Sequence, residues 1–299
     1  MKRKTWFWAL TPVAVALSLY GCGNGSDSDL AVDNNAQSCS VVSGTGSAVV
    51  VGSGLPGDPA APEAASGYRL GYKAKQSSNY MVVANTPLAT KAGCDVLKAG
   101  GTAVDAAVAV QAVLGLVEPQ SSTIAGSAFM MYYDAANKKV VAYDGRETAP
   151  AAATGYYLAR QDQSNASSPA PVPSARRSGR SIGVPGVMRM LDMAHKEHGK
   201  LAWAPLFDEG IRLASSGYKI PGRMGDAIRT NAANLQLDAN AVAAYFNADG
   251  TPKTTGTVTT NLPYAQSLRT LATGGADAMY SGPLADAIVA KAAQSVGDD

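Results

Sequence analysis

The stretch that most constrains this chain is Ala103-Val104-Asp105-Ala106-Ala107-Val108-Ala109-Val110-Gln111-Ala112-Val113-Leu114-Gly115-Leu116. A helix over 103–116 carries small apolar side chains almost all the way round. It has no broad polar face to give to water, so it must be packed closely on several sides. An interior helix needs a large body around it. With 299 residues, 46% of them hydrophobic, the chain can bury such a core as one large domain or two smaller ones.

The elements around that helix follow from local signals. Tyr80-Met81-Val82-Val83-Ala84 reads as a buried strand. Pro87 at a first-turn position and Gly100 beyond the last turn bracket a helix that carries Leu88, Ala92 and Leu97. After Glu118-Pro119 come two apolar runs, Phe129-Met130-Met131-Tyr132-Tyr133 and Val140-Val141-Ala142-Tyr143. Asp134-Ala135-Ala136-Asn137 lies between them, which predicts a β-hairpin. Helices are expected over 185–199, 206–217, 263–274 and 283–297, a surface loop over 164–173 and a turn-rich connection over 250–256. No internal repeat is evident.

Residues 1–21 do not belong to the globule. Lys2, Arg3 and Lys4 precede an apolar run from Trp6 to Tyr20 that is too short for a comfortable bilayer span, the pattern of a signal peptide. Leu19-Tyr20-Gly21-Cys22 looks like a bacterial lipobox, in which Cys22 receives the lipid. Acyl chains there would anchor the protein without spanning the membrane. The expected location is the periplasmic side of a bacterial membrane, as an outer-membrane lipoprotein. Residues 22–78, rich in Gly, Ser, Ala, Pro and Asp, read as a flexible tether, and 79–299 as the globular domain.

Without residues 1–21 the chain has 22 Lys and Arg against 23 Asp and Glu, which gives no electrostatic case for nucleic acid. The cluster Arg176, Arg177 and Arg180 reads as a solvated loop. Export would permit Cys39 and Cys94 to pair. However, Cys39 lies in the tether and Cys94 in an alanine-rich helical pattern, so two free thiols are expected. His195 and His198 stand three apart beside Gly199 at a helix C-terminus, where they are expected to serve the helix dipole and solvent rather than a metal.

The order of several segments resembles one family. Ala84-Asn85-Thr86-Pro87-Leu88-Ala89 is followed by Leu97-Lys98-Ala99-Gly100-Gly101-Thr102-Ala103-Val104-Asp105-Ala106-Ala107, then Glu118-Pro119-Gln120-Ser121-Ser122 and Asp144-Gly145-Arg146-Glu147-Thr148-Ala149-Pro150. Ile182-Gly183-Val184-Pro185-Gly186-Val187 and Gly275-Ala276-Asp277-Ala278-Met279-Tyr280-Ser281-Gly282-Pro283 continue it. Together they resemble the N-terminal part of the large subunit of gamma-glutamyltransferases. The resemblance implies an α+β fold, the αββα sandwich of N-terminal-nucleophile hydrolases, incomplete here and helix-rich. One departure lies at Ser122-Thr123-Ile124-Ala125-Gly126-Ser127-Ala128-Phe129, where the family has a nearly continuous glycine run and only Gly126 remains.

The resemblance implies that Arg146 holds the α-carboxylate of a γ-glutamyl donor such as glutathione. A planar guanidinium suits that task because it offers two parallel hydrogen bonds. It also implies a threonine nucleophile exposed by self-cleavage, which passes the γ-glutamyl group to water or an amino acid. That apparatus belongs to the C-terminal small subunit of the same precursor, so no catalytic residue is assigned within these 299 residues and the chain alone is expected to be inactive. No cofactor is implied. Two alternatives stand beside this reading: an amide hydrolase for polyglutamate or cephalosporin-type substrates, and an inert lipid-tethered binding protein.

Overall fold

The computed structural model describes residues 39, 77–172, 174–175 and 178–294. The signal peptide, Cys22, most of the tether, Arg176 and Arg177 lie outside the described residues. Eight α-helices and two short antiparallel sheets make up the regular structure described.

Helix α1, Pro87–Lys98, opens on Thr86, whose hydroxyl accepts the Ala89 amide. Pro87 fits at the first turn because its missing N–H would have had no helical partner. Helix α2, Ala103–Val117, opens on a capping box: the Thr102 hydroxyl accepts from the Asp105 amide, and the Asp105 carboxylate accepts from the Thr102 amide. Ten of the fifteen α2 residues are buried. One side contributes Val104, Val108 and Ala112 to a core with Met188, Leu191, Phe207, Leu268 and Leu271. The other gives Ala109, Val113 and Leu116 to a second core with Leu213, Ile220 and Met224. The interior helix expected from composition is therefore the partition between two cores. At Gly115 a Cβ would lie 2.3 Å from the Tyr264 hydroxyl, which donates to the Ala112 carbonyl, so only glycine admits that ring.

Strands β1, Ala128–Asp134, and β2, Lys139–Gly145, form the hairpin, with Phe129 opposite Asp144, Met131 opposite Ala142 and Tyr133 opposite Val140. Met130, Tyr132, Val141 and Tyr143 face the core around helix α3, Val187–His198. Phe129, Met131, Tyr133 and Val140 are exposed on the other face, and neither strand has a further strand partner among the described residues. A one-turn 3₁₀ segment, Ala204–Phe207, leads into helix α4, Asp208–Ser216, so the helix expected over 206–217 is divided. The remaining elements are β3 (Tyr218–Lys219), α5 (Gly222–Leu235), α6 (Ala239–Tyr245), β4 (Val258–Thr259), α7 (Leu262–Gly274) and α8 (Pro283–Gln294), with β3 paired to β4.

Several expectations are corrected. Residues 80–84 join no strand among the described residues, and Val83 is 84% exposed, so this is no buried strand. Cys39 and Cys94 form a disulfide with Cα atoms 5.5 Å apart. The bond pins one tether residue onto α1, a contact 55 residues distant that helical patterning around Cys94 could not report. The histidines do not serve solvent. His195 Nε2 lies 3.0 Å from the Leu201 carbonyl and its ring meets Trp203 edge-on, while His198 stacks on Tyr132 with centroids 4.0 Å apart. Arg180 is not a solvated loop cation: Nη1 donates to the Tyr157 and Arg160 carbonyls and Nη2 to that of Gln161. It gathers residues 157–161 into a compact turn.

Candidate functional site

Arg146 follows directly on β2, and the backbone beneath it is tightly held. Gly145 is buried, and a Cβ there would lie 2.6 Å from the Cβ of Met190 on α3. On the other side, Gly186 passes so close that its Cβ would lie 2.3 Å from the Gly145 carbonyl oxygen. Close backbone approach on two faces explains glycine at both positions. The amides of Gly186 and Val187 donate to the Gly126 carbonyl, and the Val184 amide donates to the Thr148 carbonyl in an isolated bridge. The Tyr280 hydroxyl closes the arrangement by donating to the Pro185 carbonyl at 2.5 Å. The residue expected to bind substrate thus sits on a strand end clamped between α3 and the segment 182–187.

The Arg146 side chain is 54% exposed. Its own amide donates to Asp144 Oδ1 at 2.9 Å, which fixes the turn at its Cα. Nη2 donates to Glu147 Oε1 at 2.6 Å, and the guanidinium lies 6.0 Å from the centre of the Phe129 ring. A hydrogen bond from Ser127, one from its own backbone N–H and the nearby Arg146 charge hold the Glu147 carboxyl below the usual range. Glu147 also packs against Gly183, where a Cβ would lie 2.6 Å from its Cγ. The arrangement is a half-exposed guanidinium with a fixed base, one amino group on the Glu147 carboxylate and an aromatic ring nearby. Such a group is suited to take a carboxylate ligand.

Thr254 Oγ1 lies 3.4 Å from Thr257 Oγ1, and Thr259 Oγ1 accepts from Lys253 Nζ at 2.9 Å. These are turn and strand contacts, remote in role from Arg146. Among the described residues no group of three His, Cys, Asp or Glu side chains could hold a metal ion. The sequence reading singled out Arg146; the structure pairs it with the adjacent Glu147.

This clamped hairpin, ending in Arg-Glu on a helix-rich body, defines the large-subunit portion of an N-terminal-nucleophile hydrolase fold. A crystal structure of gamma-glutamyltranspeptidase from Helicobacter pylori superposes with a TM-score of 0.66 at 27% identity, over 72% of this chain and 60% of that one. Residues 89–298 match the sequence model of the family described as Gamma-glutamyltranspeptidase. Glutathione hydrolase 3 of Arabidopsis thaliana is 36% identical over 72% of this chain and 32% of its own length. The glutathione hydrolase proenzyme of Bacillus subtilis is 34% identical over 69% and 34% respectively. The chain belongs to the gamma-glutamyltranspeptidase family, and it spans about a third of the length of these curated relatives.

Proposed function

We propose that the full-length protein hydrolyses or transfers the γ-glutamyl group of glutathione-type peptides, and that Arg146 grips the α-carboxylate of the donor. The observation that carries this reading is the half-exposed Arg146 guanidinium on an immobilised strand end, with Glu147 on one amino group. Two parallel hydrogen bonds from such a fork would fix the far end of the donor, so that its γ-carbonyl meets the nucleophile in one orientation. The names of the relatives from Arabidopsis and Bacillus, both glutathione hydrolases, support the substrate class.

In this proposal the nucleophile is a threonine freed at a new N-terminus by self-cleavage, in sequence that follows Asp299. Its hydroxyl attacks the γ-carbonyl while its own amine takes the proton and hands it to the departing amine as the γ-amide bond breaks, and the acyl-enzyme is resolved by water or an amino-acid amine, which frees the threonine hydroxyl again. The word proenzyme in the name of the Bacillus relative supports processing. On this reading the 299 residues alone have no activity. The small subunit from the same precursor would cover the exposed apolar face formed by Phe129, Met131, Tyr133 and Val140.

The same proposal places the protein outside the cytoplasm, cleaved before Cys22 and tethered by lipid on it. The Cys39–Cys94 disulfide supports export, because such bonds persist in oxidising compartments. No helix among the described residues is long and apolar enough to cross a membrane. The test of the substrate reading is Arg146→Lys in the full-length protein, assayed for γ-glutamyl anilide release. Lysine keeps the charge and loses the fork, so KM should rise at least tenfold. An unchanged KM would refute the assignment.

A further inference from the structure

We propose that a pocket beside α5, across α2 from the hairpin, binds a neutral N-acetylated sugar. Its volume is about 390 Å³, within the range of small-molecule sites. Met224, Ile228 and Leu235 form its floor, on one stripe of α5, and the first two are buried members of the second core. The core beneath the β1–β2 hairpin lies on the other side of α2. The pocket is therefore separate from the site at Arg146.

Neutral polar groups make its mouth: Asn231 and Asn234 from α5, with Gln120 and Tyr245. Among the described residues no charged side chain lines it. Two of the amides are oriented by their partners. Asn231 Nδ2 donates to the Ala227 carbonyl at 2.9 Å, and Gln120 Nε2 donates to Glu118 Oε2 at 2.8 Å. A carbonyl, and a carboxylate ion-paired with Arg223, can only accept, so in both amides the oxygen is the end left for a ligand. The matching ligand brings O–H or N–H donors, carries no charge and has an apolar part for the aliphatic floor. Sugar hydroxyls and an acetamido N–H donate to amide oxygens, and an acetyl methyl covers Met224 and Ile228. A plain hexose has no methyl for that floor. An ionised ligand would lose hydration without gaining a counter-charge.

The test titrates the full-length protein with N-acetylglucosamine, glucose and N-acetylglycinamide, read by calorimetry and saturation-transfer NMR. N-acetylglucosamine should bind with a dissociation constant on the order of 1 mM, its acetyl methyl taking the largest saturation from the floor. Glucose and N-acetylglycinamide should each bind about tenfold more weakly or worse. Asn231 and Asn234 are exposed on a helix, where alanine is the better helix former, so the double variant Asn231→Ala/Asn234→Ala should fold. It should weaken N-acetylglucosamine binding about tenfold without lowering the urea midpoint. Tyr245→Phe, which keeps the ring, should weaken it about threefold. No binding of N-acetylglucosamine well above that concentration, or undiminished binding in the double variant, would overturn the proposal. Equal affinity for glucose would refute recognition of the acetyl group, and equal affinity for N-acetylglycinamide would refute a sugar site in favour of an acetylated peptide.

Discussion

The carboxylate of Asp105, fully buried at the first turn of α2, accepts the backbone amide of Lys200 at 3.0 Å across 95 residues of sequence. The same carboxylate takes the Thr102 amide at 2.7 Å and the Leu201 amide at 3.3 Å, and its other oxygen lies 3.3 Å from His195 Nε2. It joins the start of α2 to the end of α3, the helix on which the hairpin rests. Asp105→Ala would leave several buried donors unsatisfied around a small cavity. We predict a loss of about 3–5 kcal/mol, read as a lowered urea midpoint for the full-length protein. A change under about 1 kcal/mol would show that the clasp is dispensable.

The disulfide gives a second prediction. Cys39 and Cys94 are 55 residues apart, and closing a loop of that size should stabilise the folded state by about 2–4 kcal/mol. Peptide mapping of protein from oxidising conditions should find the linked pair, and reduction should lower the urea midpoint. Two free thiols in the mapped protein would contradict it.

Tyr143 gives a third. Burial, with Glu197 accepting its hydroxyl at 2.6 Å, pushes the phenol up to about 12. The raised folded value means the protonated phenol favours the fold. That contribution is complete below the unfolded value near 10 and is lost as pH rises through about 12. With its single proton given to Glu197, the phenol oxygen accepts from His198 Nε2 at 2.8 Å. We predict that Tyr143→Phe removes one late step from the alkaline absorbance titration and that Glu197→Gln shifts this step to lower pH. A Tyr143 that ionises with the exposed tyrosines would contradict the arrangement.

The hairpin gives a fourth. Met131, 70% exposed at the centre of its apolar face, should be buried by the small subunit in the proposed full-length assembly. An unpaired charge in such a contact is costly. Met131→Glu should therefore weaken retention of the processed C-terminal segment by about a hundredfold or more, measured by size-exclusion chromatography after processing. Undiminished co-elution would place the contact elsewhere.

What the sequence disclosed and what it hid follow from range. Periodicity, proline and glycine signals are local, and they located α1, α2, the hairpin, α3, α7 and α8 closely. Helices α5 and α6 escaped because Gly222, Gly225 and the polar residues between Met224, Ile228 and Leu235 dilute the apolar pattern. The apolar residues at 80–84 looked buried only because a strand reading presumes a neighbour. Arg146 could be singled out through the motif around it. Its ion pair with Glu147, the fates of His195 and His198, and the Cys39 pairing are long-range or conformational facts with no periodic trace.

The most direct test of the central claim uses the full-length, processed protein and its Arg146→Ala variant, each measured with γ-glutamyl anilide and with the α-amidated donor. Loss of a charge-assisted bidentate contact is worth about 2–4 kcal/mol. The account predicts that kcat/KM for the carboxylate donor falls about a hundredfold in the variant, while that for the amidated donor, already low, hardly moves. Equal losses for both donors, or none for either, would contradict the claim that Arg146 reads the α-carboxylate.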